Sequence, residues 1–169
     1  MKKLAASLML AAALALLPAQ TASADTLDLT AGVFPDDELA ALSSTGDPFA
    51  VGGGTTGVSF AVHFAFSARL GPNGPSGYAV LSEPTFGEAQ GEVVCFRQDG
   101  TGEATFFIEK KKGTGFLASA TFVGIFVRDS GAQPPSGDFL LALPLSSHQG
   151  CAIDGGVGGV VTQGNIVVR

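Results

Sequence analysis

The sequence contains no Trp, one Tyr and two Cys, whereas 13 Phe and 24 Gly are found among its 169 residues. Residues that favour long helices are few. We therefore expect short extended segments joined by Gly and Pro turns, which is typical of all-β domains. Without Trp, the aromatic part of the core has to come from Phe.

Basic residues are also scarce, with nine Lys and Arg against 15 Asp and Glu and a net charge of −6. Nucleic acids and anionic membranes are bound mainly through Lys and Arg. The acidic balance therefore argues against both as partners.

Long hydrophobic runs are missing except at residues 4–17, which follow Lys2 and Lys3 and precede Ala22-Ser23-Ala24. These are the three parts of a secretory signal peptide, and the run is shorter than the roughly 20 residues of a membrane-spanning helix. We expect residues 1–24 to be a signal peptide cleaved after Ala24, in preference to a retained anchor. The mature chain would then be secreted to the extracellular space, with no integral membrane segment and a net charge of −8, because only Lys2 and Lys3 are lost.

Cys95 and Cys151 are the two cysteines of this chain, and in an exported protein we expect them to form a disulfide. Closing a loop of about 57 residues would stabilise the fold by roughly 4 kcal/mol in the chain-entropy model. The alternative is a metal-ligating or catalytic thiol, which is disfavoured because no His lies at ligand spacing from either Cys.

The clearest pattern is a strict alternation over residues 58–70, where all even positions are apolar and the odd ones are small or polar. A period of two predicts a long strand with one buried face. The turn signal of residues 71–77 follows, and residues 78–82 are the expected antiparallel partner.

Further strands are predicted at 91–98 and 103–109, joined by a hairpin in which Asp99-Gly100 suits a type I′ turn. The Lys110–Gly113 run should be a solvated turn. Residues 116–129 are predicted to form a second long strand with a bend or close approach at Gly124, and residues 138–144 and 164–169 the last strands.

The chain thus divides into the signal peptide 1–24, a lead-in of 25–46 and a domain of 47–169. The lead-in offers a short strand at 26–30 and a short helix or turn after Pro35, or else a mobile segment, because it is acidic and has few apolar anchors. With about eight strands in all, the fold class is all-β, as a single antiparallel β-barrel or a closely related sandwich with one disulfide.

Gly52–Gly57 spell G-x-G-x-x-G, the glycine pattern of dinucleotide sites. Such a site needs a preceding strand and a following helix, and here the glycines precede a strand. We interpret them as a flexible connection or bulge.

The candidates for chemistry are few. His63 lies on the polar face of the first long strand, and only the distant His148 could join it as a ligand or base. Ser146, Ser147, His148 and Asp154 supply the residue types of a hydrolase, but without a nucleophile motif. The acidic run 36–38 lacks calcium-loop spacing and is better interpreted as a helix start or solvated loop.

Six Phe residues on alternating positions could form a packed core or line a ligand cavity inside a barrel of about eight strands. They are Phe60, Phe64, Phe66, Phe106, Phe122 and Phe126. We expect a filled core, because same-face Phe is what a core without Trp would use.

Six short stretches occur in a recognisable order: DPFAVGGG, FAFSARLGPNGPSGY, EVVCF, FVRDSG, a second Cys and GNIVVR. In this order the chain resembles a group of small secreted proteins common in actinobacteria and related bacteria, although Arg69-Leu70 replaces the His-Ser of many members. The resemblance covers about residues 47–169 and leaves the lead-in unplaced. It implies export, a β-barrel-like fold and a Cys95–Cys151 bridge, and it assigns no activity or catalytic residue.

The sequence thus predicts a secreted, non-enzymatic β-barrel module with a binding or structural role and no catalytic, cofactor-binding or metal-binding residues. Its partner would be a small apolar ligand or a component of a cell surface. The alternatives are a lipocalin-like carrier of a small apolar ligand and a hydrolase with an unrecognised site.

Overall fold

The computed structural model describes residues 46–57, 61–131 and 137–169, and it shows a closed antiparallel barrel of eight strands in sequence order. The predicted all-β barrel is confirmed. The strands are β1 (Phe49–Thr56), β2 (His63–Gly71), β3 (Gly74–Glu83), β4 (Gly87–Gly100), β5 (Glu103–Gly113), β6 (Phe122–Arg128), β7 (Phe139–Leu145) and β8 (Val157–Val168). Two 3₁₀ helices, η1 (Gly115–Ser119) and η2 (Gln149–Cys151), follow β5 and β7. Within these ranges no helix has the length and apolarity that crossing a membrane requires.

The core fills the barrel interior, because successive side chains of a strand point alternately inward and outward. On β2, Phe64, Phe66 and Ala68 point inward and are at most 1% exposed, and Val62 just before the strand is also buried. The even-numbered face predicted for this stretch is therefore confirmed over residues 62–68. Leu70 departs from it, since it is 39% exposed at the end of the strand.

The beginning of the barrel differs from the prediction. The glycine run that was interpreted as a flexible connection is β1 itself, paired with β2 on one side and β8 on the other. Glycine fits there because the space that a side chain would need is occupied: a Cβ at Gly52 would lie 2.8 Å from Cζ of Phe66. The expected bulge does occur, between Thr55 and Thr56. Strand β2 begins at His63, so residues 61 and 62 of the predicted strand do not belong to it. Residues 26–30, 36–38 and 58–60 lie outside the described part.

The predicted second long strand is also shorter than expected. Residues 115–119 form η1, and β6 begins only at Phe122. The three lysines before η1 do not form a turn but continue β5 to Gly113. The close approach predicted at Gly124 is confirmed, because a Cβ there would lie 2.4 Å from Cγ2 of Ile153.

The hairpin between β4 and β5 has its turn two residues later than predicted. Gly100 pairs with Glu103, which places the turn at Thr101-Gly102, and the register shifts around Asp99. Gly102, with φ of 76°, adopts the left-handed conformation, so the proposed type I′ turn at Asp99-Gly100 is wrong.

Two aspartates complete the closure between β7 and β8, whose ladder covers only the first third of β8. Asp138, just before β7, is 6% exposed, and its carboxylate accepts hydrogen bonds from Ile166 N at 2.9 Å and from Ser130 N and Oγ at 3.0 and 2.9 Å. Asp129 accepts one from Val168 N at 3.2 Å. Carboxylates thus replace the missing strand partner of β8.

The predicted disulfide joins Cys95 on β4 to Cys151, with Cα atoms 5.8 Å apart. It fastens residues 146–156, which we call the β7–β8 strap, to the outside of the barrel. Phe107 points outward on β5, since its neighbours Phe106 and Ile108 belong to the core, yet it is only 1% exposed. Ile153 of the strap and Phe107 both approach Gly124, so the strap covers this part of the outer surface.

Candidate functional site

The interior of the barrel is packed with apolar side chains from the described strands. The rings of Phe64 and Phe66 have centroids 5.9 Å apart, and those of Phe66 and Phe106 are 5.1 Å apart. Leu81, Ile125 and Ile166 are at most 2% exposed. Phe64, Phe66 and Phe106 are therefore packed against one another, as expected for a filled core rather than for the lining of a cavity.

The six Phe residues do not all share this interior. Phe122 and Phe126 lie on the outer face of β6, because Val123, Ile125 and Val127 occupy its inward positions. Their predicted place among the inward residues is wrong, and Phe60 lies outside the described residues. Which residues of β6 point inward could not be determined from the sequence, because the strand is apolar on both faces.

An apolar pocket opens at one end of the barrel, where β3 meets β4 and η1 follows β5. We call this end the mouth. The pocket has a volume of about 40 Å³, against about 150 Å³ for a cavity that binds benzene. It therefore has room for an alkyl group of a few carbons. It is lined by Val62, Leu81, Ser82, Glu83, Phe86, Gly87, Phe116, Leu117, Ala142, Pro144 and Val157.

Two phenylalanines form the rim of the mouth. Phe116 of η1 is 59% exposed, the highest value among the large apolar residues that are exposed. Phe86 meets it edge to face, with centroids 5.9 Å apart. An exposed aromatic ring beside an apolar pocket is a common feature of binding sites.

Glu83 holds the turn that carries Phe86. It is 8% exposed at the end of β3, and its Oε2 accepts hydrogen bonds from the N–H groups of Thr85 at 2.6 Å and Phe86 at 2.5 Å. Pro84 follows it and has no N–H to continue the ladder. The carboxylate thus has a structural role at the mouth.

Lys110 holds the helix that carries Phe116. Its ammonium donates a hydrogen bond to Leu117 O at 2.9 Å and another to Ala118 O. Leu117 N in turn donates to Phe86 O at 3.2 Å, which joins η1 to the β3–β4 turn. The two rim residues are therefore held by a connected set of hydrogen bonds.

The neighbouring lysine behaves as a surface charge. Lys111 lies 2.8 Å from Glu109 and 3.5 Å from Glu92, all with exposed side chains. The hydrogen bond to Glu109 raises the pKa of Lys111, and the charge of Glu92 adds to this. The lysine run is thus partly neutralised by acidic neighbours.

Within the described residues, the candidate histidines, serines and Asp154 do not come together in a catalytic arrangement. His63 is exposed on β2, and its Nδ1 lies 3.0 Å from Oγ1 of Thr55 on β1. His148 is exposed in the strap, where its ring packs on Phe122 at 4.6 Å. Within the described ranges neither histidine has a carboxylate partner, and Ser146, Ser147 and Asp154 are exposed without a hydrogen bond to His148.

Potential metal ligands are likewise dispersed. In the part of the chain that the structure describes, no group of three or more His, Cys, Asp or Glu side chains could hold a metal ion. Both cysteines are used in the disulfide.

The mouth residues were missed in the sequence because their positions carry no motif. Phe116 was assigned to a long strand, although the preceding Gly113-Thr114-Gly115 could have indicated a break before it. Glu83-Pro84 at the end of a strand likewise marks the turn of Phe86.

Comparisons with known proteins add no second line of inference. The sequence matches no protein-family model, and the searches of curated proteins and of solved structures also gave no match. The geometry of the barrel and its mouth therefore provides the basis for a functional proposal.

Proposed function

We propose that this chain is an exported, non-enzymatic binding module that receives a short apolar group of a ligand or cell-surface partner at the mouth of its barrel. The observation that supports this most directly is the exposed ring of Phe116 beside a small apolar pocket. Because Phe116 is 59% exposed, burying the rest of its ring on binding would contribute about 1–2 kcal/mol.

Export is supported by the leader-like residues 1–24 and by the disulfide, which persists in oxidising compartments. The resemblance to small secreted bacterial proteins is part of the same proposal. Mass spectrometry of the protein recovered from its host's culture medium tests it, with a chain beginning at Asp25 as the expected result.

The size of the pocket favours a short group over a whole lipid. Its 40 Å³ lies at the mouth, while Phe64, Phe66 and Phe106 pack the interior beneath it. A lipocalin-like carrier would need an interior cavity several times larger. The proposed ligand therefore inserts only a few carbon atoms.

The test is a titration of isotope-labelled protein with primary alcohols from ethanol to octanol, followed by NMR. We expect shift changes centred on Leu81, Leu117 and Val157. Affinity should rise about fourfold per methylene and then level off once the pocket is full. Shift changes spread evenly over the surface would refute the site.

The matched variants are Phe116→Ala at the mouth and Leu70→Ala at the opposite end, both replacing exposed apolar side chains. The first should weaken butanol binding about tenfold, and the second should leave it unchanged. An affinity that continues to rise from octanol to palmitate would instead support the carrier.

A further inference from the structure

A groove lies on the outside of the barrel, next to the mouth. Val80 on β3 points outward, because its two neighbours in the strand belong to the core. The register places Val80 beside Gln90 on β4, and Gln90 beside Lys112 on β5. Glu88 and Thr114 border this row on the side of the mouth. These residues line a groove of about 200 Å³, which we call the outer groove.

A single backbone contact separates the outer groove from the mouth. Gly87 lines the mouth, and a Cβ there would lie 2.2 Å from O of Thr114, which lines the outer groove. Across the same contact, Thr114 N donates a hydrogen bond to Glu88 O at 2.9 Å, and Glu88 N donates one to Oγ1 of Thr114 at 3.0 Å. Because Gly87 places no side chain on this ridge, one molecule can occupy both sites.

The polar side chains of the outer groove are available to a ligand. In the part of the chain that the structure describes, the side chains of Glu88, Gln90 and Lys112 have no hydrogen bond or ion pair. The adjacent Lys111, in contrast, is paired with Glu109 at 2.8 Å. Glu88 and Lys112 are exposed, and Gln90 is half-buried.

The charges of the outer groove favour a neutral polar group. An anion placed there would meet the carboxylate of Glu88, and a cation would meet the ammonium of Lys112. Hydroxyl groups both donate and accept hydrogen bonds, so they can bond to a carboxylate, an amide and an ammonium alike. Several hydroxyl groups on one neutral molecule therefore match this set of side chains.

The size of the outer groove suits one ring. Its volume exceeds that of a cavity of about 150 Å³ that binds benzene, so a single six-membered ring fits. The half-buried side chain of Val80 gives an apolar surface for the C–H groups of such a ring.

We propose that the ligand of the mouth is a sugar that carries a short alkyl or acyl group. The sugar ring lies in the outer groove, and the chain passes over Gly87 into the apolar pocket. This inference rests on the proposed function of the mouth and names the class of ligand that the mouth receives.

The test compares butyl β-D-glucopyranoside with butanol and with butanoate, each titrated into isotope-labelled protein and followed by NMR. We expect butyl glucoside to bind about tenfold more tightly than butanol, because the sugar adds several hydrogen bonds. The side-chain amide signal of Gln90 should shift with the glucoside and stay in place with butanol.

Two variants test the contacts of the sugar. Gln90→Ala should lower the affinity for butyl glucoside toward that for butanol. Its matched control is Gln98→Ala, at an exposed position near the other end of β4, which should bind butyl glucoside as the unchanged protein does. Lys112→Met alters an exposed residue and so carries little risk to the fold; it should weaken glucoside binding about fivefold.

The arms of this experiment separate the two proposals. Equal affinities for butanol and butyl glucoside, with no shift at Gln90, would overturn this inference and leave the proposed function intact. If neither compound shifts the signals of the mouth, the proposed function fails as well. Tighter binding of butanoate than of butyl glucoside would refute the neutral sugar.

Discussion

Asp138 provides the sharpest test of how the barrel is closed. Its carboxylate accepts three hydrogen bonds, from Ile166 N and from N and Oγ of Ser130, and it is 6% exposed. The change Asp138→Ala removes all three and leaves the N–H of Ile166, a residue only 1% exposed, without this acceptor. A hydrogen bond to a charged group contributes about 1.5–3 kcal/mol, and a buried unpaired donor costs about 1–3 kcal/mol.

Because the three bonds share one carboxylate, their contributions do not add fully. We expect Asp138→Ala to lower the free energy of unfolding by about 3–5 kcal/mol. Asp138→Asn keeps one oxygen that can still accept from Ile166 N, and its amide can donate to Ser130 Oγ. It should therefore cost about 1–2 kcal/mol.

The measurement is urea denaturation with the disulfide intact, monitored by two probes to establish two-state unfolding. Asp154→Ala is the matched control, since Asp154 is exposed and its loss should change stability by no more than about 0.5 kcal/mol. Hydrogen exchange at Ile166 should also accelerate in Asp138→Ala. If that variant is as stable as Asp154→Ala, the carboxylate does not close the barrel.

Three other changes test the interior, the strap and the mouth. Gly52→Ala should destabilise the fold by about 1–3 kcal/mol through the clash with Phe66. Its control Gly71→Ala, whose Cβ would meet nothing closer than 3.8 Å, should have little effect. Equal melting temperatures of the two variants would contradict this. Replacing both cysteines by Ala should lower the free energy of unfolding by about 4 kcal/mol and should expose Phe107 to carbene labelling. A decrease below about 1 kcal/mol would show that the strap stays in place without the disulfide. Lys110→Met should destabilise the fold by about 1–2 kcal/mol and speed hydrogen exchange in residues 115–120. The control Lys112→Met should leave exchange there unchanged. Identical exchange in the two variants would contradict the role assigned to Lys110.

Much of the barrel could be predicted because its inward residues follow a period of two. Phe64, Phe66 and Ala68 alternate with smaller or polar residues, and that alternation is a direct consequence of strand geometry. The pairing of Cys95 with Cys151 followed from there being only two cysteines in a chain with a leader-like start. Both predictions depend on local or compositional facts.

The errors arose where the reason for a residue lies on another strand. Gly52 resembles a loop residue in the sequence, but it is small because the ring of Phe66 occupies the space next to it. Residues 116–121 are as apolar as a strand, yet the first four belong to η1, and Phe116 and Leu117 line the pocket at the mouth. In such places tertiary packing outweighs local preference.

The candidate site was the least predictable part. Phe116 and Phe86 are 30 positions apart in sequence, and they meet where the hydrogen bond from Leu117 N to Phe86 O joins η1 to the β3–β4 turn. Asp138 and Ile166 are likewise brought together only by closure. No single stretch of the sequence indicates these contacts, because each joins residues from two distant segments.

The pairing of β1 with β8 also constrains the order in which the fold can form. Ala50 pairs with Val168, so the first and last strands of the barrel must meet before the ladder is complete. Hairpins such as β2–β3 and β4–β5 join neighbouring segments and can form early, whereas this contact carries the largest loop-closure cost. During synthesis, an emerging chain would hold an open sheet with two unpaired edges until β8 arrives, and this interval is when the protein is most exposed to aggregation.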